Sequence, residues 1–150
     1  MADRPLIVLT TDFSEQAERA YAPTVDIAVR MGARILLLHV VEVAAVLPHG
    51  APLAPAQFPP DTAADVDAAR AKLAQAAAKL GDGVPVEALV EASDDIVDKI
   101  TSVARERAAA MIAISTHGRR GLQRLMLGSI AEAVVRHATV PVLAFPGRAD

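Results

Sequence analysis

A chain of 150 residues is long enough to bury the core of one domain, and with 53% hydrophobic residues it is set to fold rather than stay disordered. A net charge of −3 gives no support for general binding of nucleic acid. The absence of Cys excludes disulfides, thiolate catalysis and cysteine-ligated metals, and with three Phe, one Tyr and no Trp the core must come from Ala, Val, Ile and Leu.

The opening residues, MADRPLIVLTTDF, hold a very short apolar run flanked by acids and do not read as a signal peptide. No apolar run approaches the roughly 20 residues of a membrane span. The expectation is one domain over 1–150, cytoplasmic, with no membrane and no nucleic-acid partner.

The first strand is expected at 6–11, where apolar residues follow one another without alternation, as in a parallel strand buried on both faces. Thr10-Thr11-Asp12-Phe13-Ser14 closes it and opens the first helix, expected over 14–31. Ser14 is the expected N-cap, Gly32 the stop, and Ala17, Tyr21, Val25, Ala28 and Met31 the inward face. Pro23 falls within this stretch and predicts a kink. The Asp12 carboxylate can accept hydrogen bonds from a ribose or hold a magnesium ion. It can also simply stabilise the helix N-terminus. Because a phosphate-binding loop is expected on a neighbouring strand, ligand contact is the preferred reading.

A second strand is expected at 35–41. The backbone at His39-Val40-Val41, near its end, can match an adenine edge with one N–H and one C=O, although any residue type would serve. His39 reads as a partnered structural histidine rather than a general base. The segment 42–60 contains five prolines and fits neither helix nor strand; it reads as a mobile surface excursion or a lid.

The second helix is expected over 61–80, with Val66, Leu73, Ala76 and Leu80 inward and Gly81 as its stop. A third strand follows at 84–90, then a helix capped by Ser93 with Ile96, Ile100 and Val103 at helical spacing. A fourth strand at 111–116 ends in Ser115-Thr116-His117-Gly118. The last helix is expected over 122–138, with Leu122, Met126, Ile130 and Val134 inward, and the last strand at 140–145.

The alternation of strand and helix implies an α/β fold: a Rossmann-like, doubly wound, five-stranded parallel sheet in the order 3-2-1-4-5, with helices on both faces. Ligands on such sheets bind beyond the strand C-termini where the strand order reverses. The stretch 111–130, MIAISTHGRRGLQRLMLGSI, is therefore the most informative in the chain. A strand, a polar glycine-containing loop and a helix start form an arrangement in which backbone N–H groups and hydroxyls cradle phosphates. Thr116 and Ser129 supply hydroxyls; Gly118 and Gly128 allow close backbone approach. Gly128 inside a helix would cost about 1 kcal/mol relative to Ala, which points to close packing or a phosphate there. Arg119, Arg120 and Arg124 add positive charge, and the four histidines show no metal-ligand spacing.

On these residues the chain resembles the universal stress protein family over essentially its whole length. The resemblance is carried by TTDFSE, LLLHVVE, the proline-rich excursion, STHGRRGLQRLMLGS and VPVLAF. The nucleotide-binding branch of that family carries G-x-x-G, nine residues, then G-S or G-T. Gly118, nine intervening residues and Gly128-Ser129 match, while Ser115 stands where the first glycine would be. Ala110 stands where the family often has Asp, a difference expected to alter local hydrogen bonding rather than the site.

The resemblance implies an adenine-nucleotide site, ATP foremost, with magnesium as an accompanying ion. Thr10, Thr11 and Asp12 would contact the nucleotide, Asp12 holding the ribose or a bound ion. Val40 would pair with adenine through its backbone. Ser115, Thr116, Gly118, Arg119, Gly128, Ser129 and Ile130 would wrap the ribose and phosphates. It further implies a homodimer formed by antiparallel pairing of the last strands, Val140 to Phe145. The function implied is a regulatory stress-response protein whose nucleotide alters its dimer or its contact with a regulatory protein partner. No catalytic base is placed near the phosphates, so dedicated catalysis is not expected, although slow ATP hydrolysis stays open.

The alternative within the same fold is a nucleotide-free interaction module, against which the G-x9-G-S spacing argues. Other enzymes on such sheets need residues absent here. A pyrophosphatase-type ligase needs S-G-G-x-D-S after strand one, and a Walker ATPase needs G-x-x-x-x-G-K. A phosphoacceptor receiver domain needs an acid ending its middle strand and a Lys by the last strand.

Overall fold

The computed structural model describes residues 4–44, 62–117 and 127–146. Its elements are β1 (Leu6–Thr10), α1 (Glu15–Glu18), α2 (Tyr21–Met31), β2 (Arg34–Glu42), α3 (Thr62–Ala78), β3 (Val86–Ser93), α4 (Ile96–Glu106), β4 (Met111–Ser115), α5 (Ser129–His137) and β5 (Val142–Phe145). All strand pairs are parallel, and the sheet order is β3-β2-β1-β4-β5, as the sequence predicts.

Two apolar layers follow from the alternation of side chains along the strands. Leu6, Val8, Leu36 and Leu38 meet Ile100 and Val103 of α4 and Ala131 and Val134 of α5 on one face. Ile7, Leu9, Ile35 and Leu37 meet Tyr21 and Ala28 of α2 and Leu73 and Ala76 of α3 on the other. The runs from Leu6 to Leu9 in β1 and from Ile35 to Leu38 in β2 are thus apolar at every position because both faces are covered.

Three strands begin immediately after a proline. The carbonyls of Pro5, Pro85 and Pro141 accept from the N–H groups of Arg34, Ile35 and Ile112, each at 2.9 Å. A proline cannot donate to the ladder but its carbonyl still accepts. This moves the starts of β3 and β5 two residues beyond their expected positions at 84 and 140.

The first helix departs from expectation. Ser14 does cap it, accepting the Ala17 N–H at 3.1 Å. The expected single helix over 14–31 is instead two, interrupted at Arg19 and Ala20. Pro23 does not kink it. It lies in the first turn of α2, where the missing N–H would have no intrahelical partner. Gly32 ends α2 with φ 63, the left-handed conformation that glycine adopts without a Cβ clash. Met31, expected inward, is 39% exposed because the helix ends there.

Three further expectations are corrected. The N-cap of α4 is Asp95, whose carboxylate accepts the Asp98 N–H at 2.9 Å, while Ser93 takes the Asp95 N–H from the end of β3. Helix α5 starts at Ser129, so Gly128 is its N-cap rather than an interior residue. Ile130, expected inward, is 41% exposed, and Ala131 and Val134 carry the buried face. Glu42, expected in the proline-rich excursion, instead ends β2, and Val43 follows it by donating to the Ser93 carbonyl at 3.0 Å. The rest of that excursion, from residue 45 to 60, and the expected helix turns at Leu122 and Met126 lie outside the described residues.

Candidate functional site

Strand order reverses at β1, which has β2 on one side and β4 on the other. At the C-terminal ends of these strands lies a cleft of about 660 Å³. That volume is in the range of small-molecule and cofactor sites, roughly 300–1,000 Å³. Thr10, Thr11 and Asp12 from the end of β1 line it, as do Val40 from β2 and Ser115 and Thr116 from the end of β4. Gly128, Ser129 and Ile130, which open α5, complete this group of expected residues. Gly118 and Arg119, with Arg120 and Arg124, lie outside the described residues.

The loop after β1 is tightly specified. The Asp12 carboxylate accepts from the backbone N–H of Ser14 at 2.9 Å and from the Ser14 hydroxyl. Thr11 is buried; its Oγ1 lies 2.7 Å from the Tyr21 hydroxyl and accepts the Phe13 N–H at 3.1 Å. His39 Nδ1 donates to the Thr11 carbonyl at 2.8 Å, and the Phe13 ring packs on the His39 ring with centroids 4.3 Å apart. His39 is therefore a partnered histidine, tying the β1 loop to β2. Burial raises the Tyr21 phenol above its usual 10.0, although the Thr11 hydrogen bond works in the opposite direction.

On β2, the register supplies a feature that residue identity cannot. The last β1 rung pairs Thr10 with Leu38, and the Leu38 carbonyl accepts the Thr11 N–H at 2.9 Å. Val40, two residues on, directs its backbone N–H and C=O to the same side, because alternate residues of a parallel strand bond to alternate neighbours. β1 has ended, so no β1 residue stands opposite Val40; β3 continues alongside it on the other edge. One donor and one acceptor thus face the cleft in fixed geometry.

On β4 and α5, Thr116 and Gly128 are joined. Gly128 N–H donates to the Thr116 carbonyl at 2.7 Å, and Thr116 N–H donates to Phe145 of β5 at 2.9 Å. A Cβ on Gly128 would lie 2.7 Å from that Thr116 oxygen. Close packing is thus one reason for glycine here. With Gly128 as N-cap, no side chain among the described residues caps α5, whose first N–H groups have no intrahelical partner. The start of α4 differs, since the Asp95 carboxylate occupies it. Ser115 Oγ donates to the His117 carbonyl at 3.0 Å, folding the strand end over.

Residues from the β3–α4 connection also line the cleft, including Asp94, Asp95, Ile96 and Val97. The sequence reading missed them. The strand-reversal rule points to the ends of β1, β2 and β4, whereas the cleft extends past β2 to the end of β3. Three consecutive capping-type residues, Ser93, Asp94 and Asp95, were the available signal. Among the described residues, no group of three or more His, Asp and Glu is arranged to hold a metal ion. Among them also, no helix is long and apolar enough to cross a membrane.

The profile of the Universal stress protein family matches residues 5–146. Over 46 residues, 31% of the chain, it is 41% identical to a universal stress protein of Methanocaldococcus jannaschii, and the match spans 27% of that relative's length. Among solved structures, the fold is similar to a universal stress protein in complex with cAMP, with TM-score 0.70, 18% identity and coverage of 98% of this chain and 100% of that one. It is also similar to the universal stress protein from Archaeoglobus fulgidus in complex with dAMP, with TM-score 0.66, 22% identity and coverage of 96% and 98%. At those identities the likeness shows the fold.

Proposed function

The chain belongs to the universal stress protein family, and from that premise we propose that it binds an adenine nucleotide, ATP foremost, in the cleft beyond β1, β2 and β4. The observation that carries the reading is the Val40 backbone, a donor and an acceptor aimed into the cleft where β1 has ended. Adenine presents an acceptor and a donor side by side on its edge, whereas guanine presents the reverse pairing. The dAMP and cAMP complexes of structurally similar proteins support an adenine nucleotide in general.

In this reading the Asp12 carboxylate meets the ribose hydroxyls. Ser115, Thr116, Gly118, Arg119, Gly128, Ser129 and Ile130 enclose the ribose and phosphates, which face the start of α5. Helix N–H groups and the positive end of the helix dipole favour an anion at that position. Asp12 is a single carboxylate, so a magnesium ion there would take its remaining ligands from nucleotide phosphates and water. Micromolar affinity corresponds to roughly 8 kcal/mol, within reach of a few hydrogen bonds and burial of adenine.

Occupancy would act through assembly. Among the described residues, β5 is an edge strand, paired with β4 alone. Its Val142 and Ala144 direct their backbone groups outward, because the carbonyls of Pro141 and Phe145 point to β4. A second copy pairing antiparallel with this edge would form a homodimer whose contacts, or those with a regulatory partner, respond to the nucleotide. Mass spectrometry of small molecules released on denaturing the purified, desalted protein tests the ligand class. An adenine nucleotide in stoichiometric amount supports the reading; a stoichiometric ligand of another class contradicts it.

A further inference from the structure

Asp12 lies in a turn whose shape is set by a chain of contacts that runs back to a residue outside the cleft. Phe13, next to it, adopts φ 64, a left-handed conformation rare for bulky side chains and held only where the surroundings impose it. The Phe13 N–H donates to Thr11 Oγ1 at 3.1 Å, and that oxygen lies 2.7 Å from the Tyr21 hydroxyl. Thr11 and Tyr21 are 6% and 4% exposed, so water is poorly placed to substitute for either. Tyr21 is the first residue of α2 and does not line the cleft. Without its hydroxyl, Thr11 can turn to another staggered rotamer, and the Phe13 N–H loses the acceptor that holds its unusual backbone.

We propose that the Tyr21 hydroxyl is a positioning residue for the nucleotide site, acting through Thr11 Oγ1 and the Phe13 N–H to hold the Asp12 carboxylate where it meets the ribose hydroxyls. The inference rests on the nucleotide reading above and deepens it. Ribose recognition is set not only by the carboxylate but by a buried phenol on another element.

The test compares ATP with 2′,3′-dideoxy-ATP by titration calorimetry, in EDTA to remove metal-bridged contacts, for the wild-type chain and Tyr21→Phe. The wild type prefers ATP. Tyr21→Phe lowers ATP affinity about three- to tenfold, the range spanned by one neutral hydrogen bond. Its affinity for the dideoxy nucleotide is unchanged. Thr11→Val, which also alters the cleft wall, lowers ATP affinity at least as much, and adding Tyr21→Phe to it lowers ATP affinity no further; an added loss in the double variant overturns the inference. Equal losses for both nucleotides, or no loss for either, overturn the inference and leave Tyr21 as a packing residue. A wild type that binds both nucleotides equally well overturns the inference while the nucleotide reading stands. A folded wild type that binds neither overturns that reading, and this inference with it.

Discussion

Gly128 donates its backbone N–H to the Thr116 carbonyl at 2.7 Å, and a Cβ at Gly128 would lie 2.7 Å from the same oxygen. The end of β4 and the start of α5 are thereby held in contact on the wall of the cleft. Gly128→Ala must push Thr116 and Gly128 apart. Overpacking of this kind costs about 1–3 kcal/mol, and urea unfolding should show a loss in that range. The variant should also bind ATP at least about tenfold more weakly, a loss of about 1.4 kcal/mol. Normal folding with unchanged ATP affinity would remove the α5 start from the site.

Asp95 caps α4 on the opposite wall. Asp95→Ala should cost about 1 kcal/mol in chemical denaturation, the usual loss for an N-cap carboxylate. Because this residue lines the cleft without a proposed ligand contact, ATP affinity should change little. A large loss of affinity would extend the binding surface to the β3–α4 connection.

The Tyr21 phenol gives stability a pH dependence whose sign follows from its shift. Burial holds its folded-state pKa above the ordinary 10.0. Its contribution is fully present below pH 10.0, where the phenol is protonated in both folded and unfolded chains. Above that value the unfolded chain ionises first, so stability falls with rising pH until the folded phenol titrates as well. Tyr21→Phe should show a shallower alkaline loss when urea midpoints are measured from pH 8 upward. Parallel alkaline profiles for the two proteins would contradict the assignment.

Ala144 directs its N–H away from β4 on the open edge of β5. Ala144→Pro removes that outward donor without removing a β4 bond, a substitution edge strands tolerate. Light scattering should find a homodimer for the wild type and a monomer for the variant, with circular dichroism unchanged. A variant that stays dimeric would place the interface elsewhere.

The strands were legible because their apolar runs are continuous, which only a sheet covered on both faces requires. Runs such as LIVL and ILLL carry that signal without help from tertiary context. The strand-reversal rule then gathered Asp12, Val40, Thr116 and Gly128 around one cleft. What was not legible depended on phase and register. Nothing at Arg19 or Ala20 marks a helix break, and Pro23 predicts a kink only for a helix that runs through it. Ile130 falls inward only if the helix runs back to Leu122; with the start at Ser129 and Gly128 as cap, the inward positions are Ala131 and Val134. The role open to Val40 comes from β1 ending one rung earlier, a relationship between two strands that neither sequence segment contains.

The most direct measurement is titration calorimetry of the folded chain with ATP and with GTP at equal magnesium. The expected result is one ATP per chain at micromolar affinity and GTP weaker by about tenfold or more, since guanine offers the Val40 backbone the wrong donor and acceptor, a mismatch of at least about 1.4 kcal/mol. No ATP binding to a folded sample, or equal binding of GTP, would contradict it.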